Sequence, residues 1–283
     1  MKADFAERPK IDADSMPTRG TLEIKVAQSS SRAKGASERP IALAFHAERL
    51  HADHVWREVE KVAHRLVARD VRATFFVYPF PAAVAAVDIA PRVRWLGSLG
   101  HEIAQHTHFY AGRKIRKNEK VDDLSDTNIV HCLQRDFEAI RQSGYLPKGF
   151  TAGSWHVNDT VLSTLIGLGF DYDCSAQFLT PRAETHSPHQ RRLGALQFFR
   201  TTSGQLLCLP TTCSLGQWFK SAARPMRKRH AYQLIYLHDY DLLNIIERSM
   251  LSVFLKITKR RMLVPSASIA RSNLYSDRRA IWI

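Results

Sequence analysis

The 283-residue chain is 45% hydrophobic and 24% charged, proportions that exclude a disordered or fibrous protein and allow a sizeable core. Its length fits one α/β barrel. Lys and Arg (41) outnumber Asp and Glu (27), for a formal net charge of +14, and residues 217–283 alone hold 13 basic against 4 acidic side chains. That balance points to anionic neighbours or, more plainly, to a basic solvated face.

In chain order, residues 1–40 mix charge, Ser and Pro without a period and read as a flexible segment, with "TLEIKVA" a short strand inside it. The opening "MKADFAERPKIDADSMP" lacks the apolar stretch of a signal peptide, and no run of about 18 apolar residues follows, so a cytoplasmic protein, peripheral to a membrane at most, is expected. "IALAF" is a buried strand, and "HADHVWREVEKVAHRLVARD" is a helix with Val55, Trp56, Val59, Val62, Ala63, Leu66 and Val67 on one face. "VRATFFVYP" is a second strand, "PRVRWLGSLG" a short helix and "HEIAQHT" a third strand. A helix follows over "SDTNIVHCLQRDFEAIRQSG", then strand "KGFTAGS", helix "NDTVLSTLIGLG" and strand "FDYDCS". "LLCLPTT" and "YQLIYLHDYD" are late strands, and "LLNIIERSMLSVFLKI" is a buried or interfacial helix. The alternation predicts an α/β fold, a (β/α) barrel of parallel strands over residues 41–245, followed by a basic helix and tail over 246–283. Cys132, Cys174, Cys208 and Cys213 lack metal-ribbon spacing and read as reduced thiols.

In such folds the chemistry lies at the C-terminal ends of the strands. His46 ends the first strand, His106 and His108 the third, and His238 the last. One histidine at a strand end needs no function; several, on different strands, are harder to assign to chance.

The segments "ALAFHAE", "ATFFV", "GHEIAQHTHFY", "GFTAGSWHVNDTVLSTLIGLGFDYDCS" and "LIYLHDYDL" resemble, in order, the polysaccharide deacetylases of the NodB-homology, family 4 carbohydrate esterase type, over roughly residues 41–242. The resemblance implies a distorted (β/α) barrel that removes acetyl groups from N-acetylated sugars with a divalent metal, commonly zinc. It also implies that His238 is the general acid and His106 a metal ligand. The departures are specific. Most members carry two aspartates in the first motif; here Phe45-His46-Ala47-Glu48 is closer to the Asp-x-Glu variant of some relatives, with His46 in the aspartate position and Glu48 retained. Tyr110 replaces the second histidine of the His-Thr motif, and Thr151 the arginine that orients the base.

From the residues themselves, His106 and His108 are two apart and face the same way in an extended strand. With Glu48 they form a candidate metal set of nitrogen and carboxylate donors. His238 is assigned to protonate the leaving amine, and His46 to serve as base, unless it ligates the metal; it cannot do both. Trp155 could stack on a sugar ring or pack in the core, and Tyr110 is placed with it as a substrate contact. Asp173 either orients a histidine or caps a turn. His51, His54, His64, His131, His186 and His189 read as non-functional. The expected substrate is an N-acetylated polysaccharide, oligosaccharide or sugar derivative, with anionic glycan or a membrane surface meeting the basic C-terminal region. A catalytically inactive barrel that binds carbohydrate or a protein partner is the alternative. The runs "RPMRKRH" and "KITKRR" lie beside no nucleic-acid recognition pattern, so nucleic acid is not the expected partner.

Overall fold

The computed structural model describes residues 25–26, 39–109, 125–178, 192–193, 196–221, 231–258 and 263–272. Its elements in chain order begin with β1 (Lys25–Val26), β2 (Ile41–Ala47), α1 (Asp53–Val67), β3 (Thr74–Val77), α2 (Phe80–Val84), α3 (Ala90–Ser98) and β4 (Glu102–Thr107). They continue with α4 (Asp126–Gln142), β5 (Gly149–Ala152), α5 (Asp159–Gly167), β6 (Tyr172–Asp173), β7 (Gln177–Phe178), β8 (Arg192–Leu193) and β9 (Gln197–Thr201). The last are β10 (Gly204–Cys208), β11 (Cys213–Ser214), α6 (Leu215–Ser221), β12 (Gln233–His238), α7 (Ile245–Ile257) and β13 (Leu263–Val264).

The main sheet runs β1-β9-β10-β6-β5-β4-β3-β2-β12-β11, with β13 paired to β2. From β10 through to β11 every pairing is parallel, and helices connect β2 through β6 in turn and β11 to β12. The sheet curls into the half-barrel expected of a distorted (β/α) barrel. Two pairings depart from an all-parallel reading. β9 and β10 form an antiparallel hairpin around Thr202-Ser203, and β1 adds to β9 antiparallel. The hairpin arises because only two residues separate the strands, too few for a crossover.

Side-chain alternation divides the core into two layers. Leu43, Phe45 and Ala47 of β2, Phe75 and Val77 of β3, and Ile235 and Leu237 of β12 face the helices, where Val55, Val59, Val62, Ala63 and Leu66 of α1 meet them. The alternate residues Ala42, Ala44, Phe76, Ala104, Leu234 and Tyr236 fill the inner face. Small alanines there let the strands curve closely.

The helix ends follow from local chemistry. Asn158 Oδ1 accepts the backbone N–H of Val161 at 2.9 Å to cap α5, and Asn244 Oδ1 accepts that of Ile246 at 2.9 Å to cap α7. Gly100, at φ 81°, reverses the chain after α3 so that β4 begins two residues later.

The floor of the barrel is closed from the C-terminal side. Glu102 accepts hydrogen bonds from Thr74 Oγ1 (2.7 Å), Tyr172 Oη (2.6 Å) and the Ala267 backbone N–H (3.0 Å), and Thr74 Oγ1 accepts the Ser266 N–H (2.8 Å). Ala267, Ile269 and Ala270 pack into the inner core. Residues beyond 245, expected as a separate helix and tail, thus supply a sheet strand and part of the core. None of the four cysteines is in a disulfide, and no helix of the described residues is long and apolar enough to cross a membrane.

Candidate functional site

The inner-face parity that buries Ala42 and Ala44 carries on to His46 and Glu48. In β4 it runs from Ala104 to His106 and His108, and in β12 from Leu234 and Tyr236 to His238. The register places His238 beside His46 and His46 beside Phe76. Strand periodicity alone therefore delivers four imidazoles and one carboxylate to the same mouth, at the C-terminal ends of the strands.

Three of these groups meet directly. Glu48 Oε1 lies 3.2 Å from His106 Nε2 and 3.3 Å from His108 Nε2, and the two imidazole nitrogens are 3.1 Å apart. His106 is buried, and its Nδ1 donates to the Thr151 carbonyl at 2.9 Å. A carbonyl only accepts, so the proton of the neutral ring is on Nδ1 and the Nε2 lone pair faces Glu48. Lone pairs on three converging atoms repel unless a cation or proton lies among them. Ligands held at zinc-like bond lengths in a tetrahedron lie about 3.3–3.4 Å apart, close to the separations of this triangle. The donor set fits a divalent cation. A second set, His46, Glu48 and His106, closes only to within 4.8 Å, and the His108 triangle is the tighter fit.

Electrostatics follow the same geometry. Burial works to raise the Glu48 pKa, but the close approach of the His106 and His108 imidazoles outweighs it and holds the carboxyl well below its usual range. Burial, then the charges of His106 and His238, push His46 well below its ordinary value, so it is a neutral ring at neutral pH. Burial lowers His106 against the opposing pull of Glu48. For His238 burial also opposes the charged form, but the Asp241 hydrogen bond and the charge of Glu48 prevail and raise its pKa.

His238 is held on several sides. Asp241 Oδ2 accepts from its backbone N–H at 2.8 Å and lies 3.2 Å from Nδ1, which leaves Nε2 directed toward Glu48 at 3.8 Å. The ring stacks on Tyr240 at 4.7 Å and meets His46 edge-on at 5.3 Å. Asp239, fully buried, accepts the N–H of Arg49 at 2.7 Å and that of Tyr240 at 2.9 Å, tying the segment after Glu48 to the end of β12. Burial raises its pKa to about 7. Asp239 and Asp241 are not among the site residues expected from the sequence. The signal was there in "HDYD": an acid three residues after a strand-end histidine can cap the following turn and reach back to the ring.

Trp155 reaches the same mouth, with its ring 5.7 Å from that of His46 and 5.1 Å from that of Tyr236. It sits on a turn in which Ser154 (φ 54°) and Trp155 (φ 59°) both adopt left-handed backbone, a costly conformation of the kind found at functional sites. Tyr110 lies outside the described residues. Asp173 accepts from the N–H and the hydroxyl of Ser175, so it caps a turn. Thr151 contributes its carbonyl rather than an arginine's charge. His101 and His156, unassigned in the sequence, are buried: His101 Nδ1 accepts the Ala73 N–H at 3.2 Å, and His156 packs on Phe109.

Gly153 makes room for His108. A Cβ there would lie 2.2 Å from His108 Nδ1. Gly153→Ala is therefore expected to swing the imidazole out of the triangle and weaken zinc binding about 10–100-fold. Calorimetric zinc titration, with circular dichroism confirming the fold, measures this; unchanged affinity would show that His108 is not a ligand.

No protein-family model matches the sequence, and no curated protein matches it. Solved structures do. A Mycobacterium smegmatis protein assigned as a polysaccharide deacetylase aligns over 90% of this chain and 96% of its own, with a TM-score of 0.61 and 16% identity. A peptidoglycan deacetylase of Bacillus subtilis aligns over 87% of this chain and 98% of its own, with a TM-score of 0.50 and 13% identity. The chain has the fold of the polysaccharide deacetylases.

Proposed function

We propose that the protein is a metal-dependent hydrolase that removes acetyl groups from an N-acetylated polysaccharide, oligosaccharide or sugar derivative. The observation that carries this reading is the convergence of the Glu48–His106–His108 triangle with an Asp241-supported imidazole at one mouth. Glu48, His106 and His108 would hold a divalent cation, with zinc the candidate. When bound, such a cation supplies Lewis-acid activation of water and of the acetyl carbonyl.

The chain's own groups do the rest. His46, neutral and next to the triangle, takes the proton from the attacking water. His238, with its Nδ1 proton on Asp241, donates from Nε2 to the departing amine as the carbon–nitrogen bond breaks. Trp155, with Tyr236 and Tyr240, lines the mouth with aromatic surface on which a sugar ring can stack and from which water is partly excluded. Tyr110, outside the described residues, is assigned from the sequence to contact the substrate with Trp155.

Acetate release from acetylated chito-oligosaccharides and lipid-linked sugars, with zinc, cobalt or manganese supplied, tests the activity. Release that vanishes on chelation is expected; none across the panel would refute it. The second reading, an inactive barrel that binds carbohydrate or a protein partner, is favoured by one observation. Burial depresses the basicity of His46, which stands in a carboxylate's place without a supporting arginine. Binding of the same sugars without acetate release would select it.

The acid assignment fixes the sign of a pH effect. His238 must be protonated to donate, and its pKa is held above the ordinary 6.5. Its contribution is thus complete below that raised value and lost as pH rises through it. Asp241→Asn removes the main group raising it, so the alkaline limb of the kcat profile is expected to move to lower pH. A limb that stays in place would assign the proton to another group.

A further inference from the structure

Of the seven large hydrophobic side chains exposed among the described residues, five lie in one short segment: Leu243 (41%), Ile245 (69%), Ile246 (64%), Val253 (44%) and Ile257 (59%). Ile246, Val253 and Ile257 are seven and then four residues apart and so share one face of α7. The opposite face is already used: Leu251, Phe254 and Leu255 are buried, and the Phe254 ring packs against Trp218 of α6 at 4.8 Å. The helix is therefore anchored to the barrel on one side and presents an aliphatic stripe to solvent on the other.

The charges that follow α6 and α7 in the sequence select its occupant. Segments 220–229 and 256–261, which continue directly from α6 and α7, contain nine Lys or Arg and no Asp or Glu. Lys220 and Lys256 are exposed. Glu247 is half-buried and turned toward α6, with its carboxylate near Gly216. A second copy of a chain carrying +14 would bring like charges together, which disfavours self-association through this face. A helix with an aliphatic face and flanking cations combines the two attractions that hold a peripheral helix at an anionic bilayer.

We propose that α7 is a membrane-surface docking helix that lies along an anionic lipid bilayer with Ile246, Val253 and Ile257 in the interface. At about 1.5 Å rise per residue, its 13 residues present a stripe about 20 Å long. Because the turn after His238 leads directly into α7, docking sets the mouth of the barrel close to the lipid headgroups. The recognition rests on the helix alone and does not depend on the deacetylase activity.

Co-sedimentation of the full chain with vesicles tests this. The wild type is expected to partition at least about tenfold more strongly onto vesicles of equal phosphatidylglycerol and phosphatidylcholine than onto phosphatidylcholine alone. Ile246→Gln with Val253→Gln is expected to reduce the anionic partition about tenfold. Ile245→Gln with Ile257→Gln, a second pair, should do the same. Leu146→Gln, at an exposed site in the loop before β5, should change nothing. Melting temperatures equal to wild type verify folding. Wild type remaining in the supernatant with anionic vesicles, or both double variants binding like wild type, would overturn the proposal. So would a dimer in gel filtration that the double variants dissolve.

Discussion

His106→Ala is expected to strip the bound cation, reducing the metal recovered with the purified protein to a small fraction of wild type and abolishing cation-dependent acetate release. His238→Ala is expected to leave the metal content unchanged while lowering kcat by on the order of 10²–10⁴, the usual worth of a positioned general acid. The two variants separate because their roles do. His106 is buried, with one nitrogen committed to the Thr151 carbonyl and the other to the Glu48 triangle, so no neighbour can take its place. His238 touches the triangle only through a 3.8 Å approach to Glu48 and is supported independently by Asp241. Elemental analysis and acetate assays on the same preparations measure both. Equal loss of metal in both variants would make His238 a ligand; no loss in either would remove the metal reading.

Phe75→Ala should cost about 3–5 kcal/mol of stability, the range for truncating a large buried aromatic. Phe75 has no exposed surface, and its ring stacks on that of Phe45 at 4.8 Å and 10°. It sits where β2 and β3 are paired and beneath α1, so the cavity cannot collapse without moving the strands that carry His46 and Glu48. Urea unfolding should show a lower midpoint with an unchanged slope. A loss under about 1 kcal/mol would mean that the layer between sheet and helices repacks freely.

The order of strands and helices was legible because each has a periodic signature. Buried runs such as "IALAF" and "TFFV" became β2 and β3, and the apolar face read for α1 is the buried one, except that Trp56 and Val67 remain half-exposed. The shared mouth was legible too, since residues two apart face one way and parallel strands end together. Groups whose roles depend on contacts between distant segments were not. Asp239 acts through the N–H of Arg49, and Glu102 through Ala267, pairings that no local pattern announces. Short strands such as β11 and β13, two residues each, carry too little periodicity to be seen. The left-handed turn at Ser154 and Trp155 breaks the usual rule that such backbone needs glycine.

The tie between Glu102 and the Ser266–Ala267 segment bears on how the protein is made. β2 pairs with β12, and Thr74 meets a residue 192 positions further along the chain. As the polypeptide leaves the ribosome, β2 pairs early with β3 while its other edge waits for β12, and the floor carboxylate waits longer still. The run from β2 to β6 can pair first, but the open side of β2 is covered only when nearly the whole chain has emerged. The nascent chain would spend that interval with an unsatisfied edge, which suits it to early protection by chaperones.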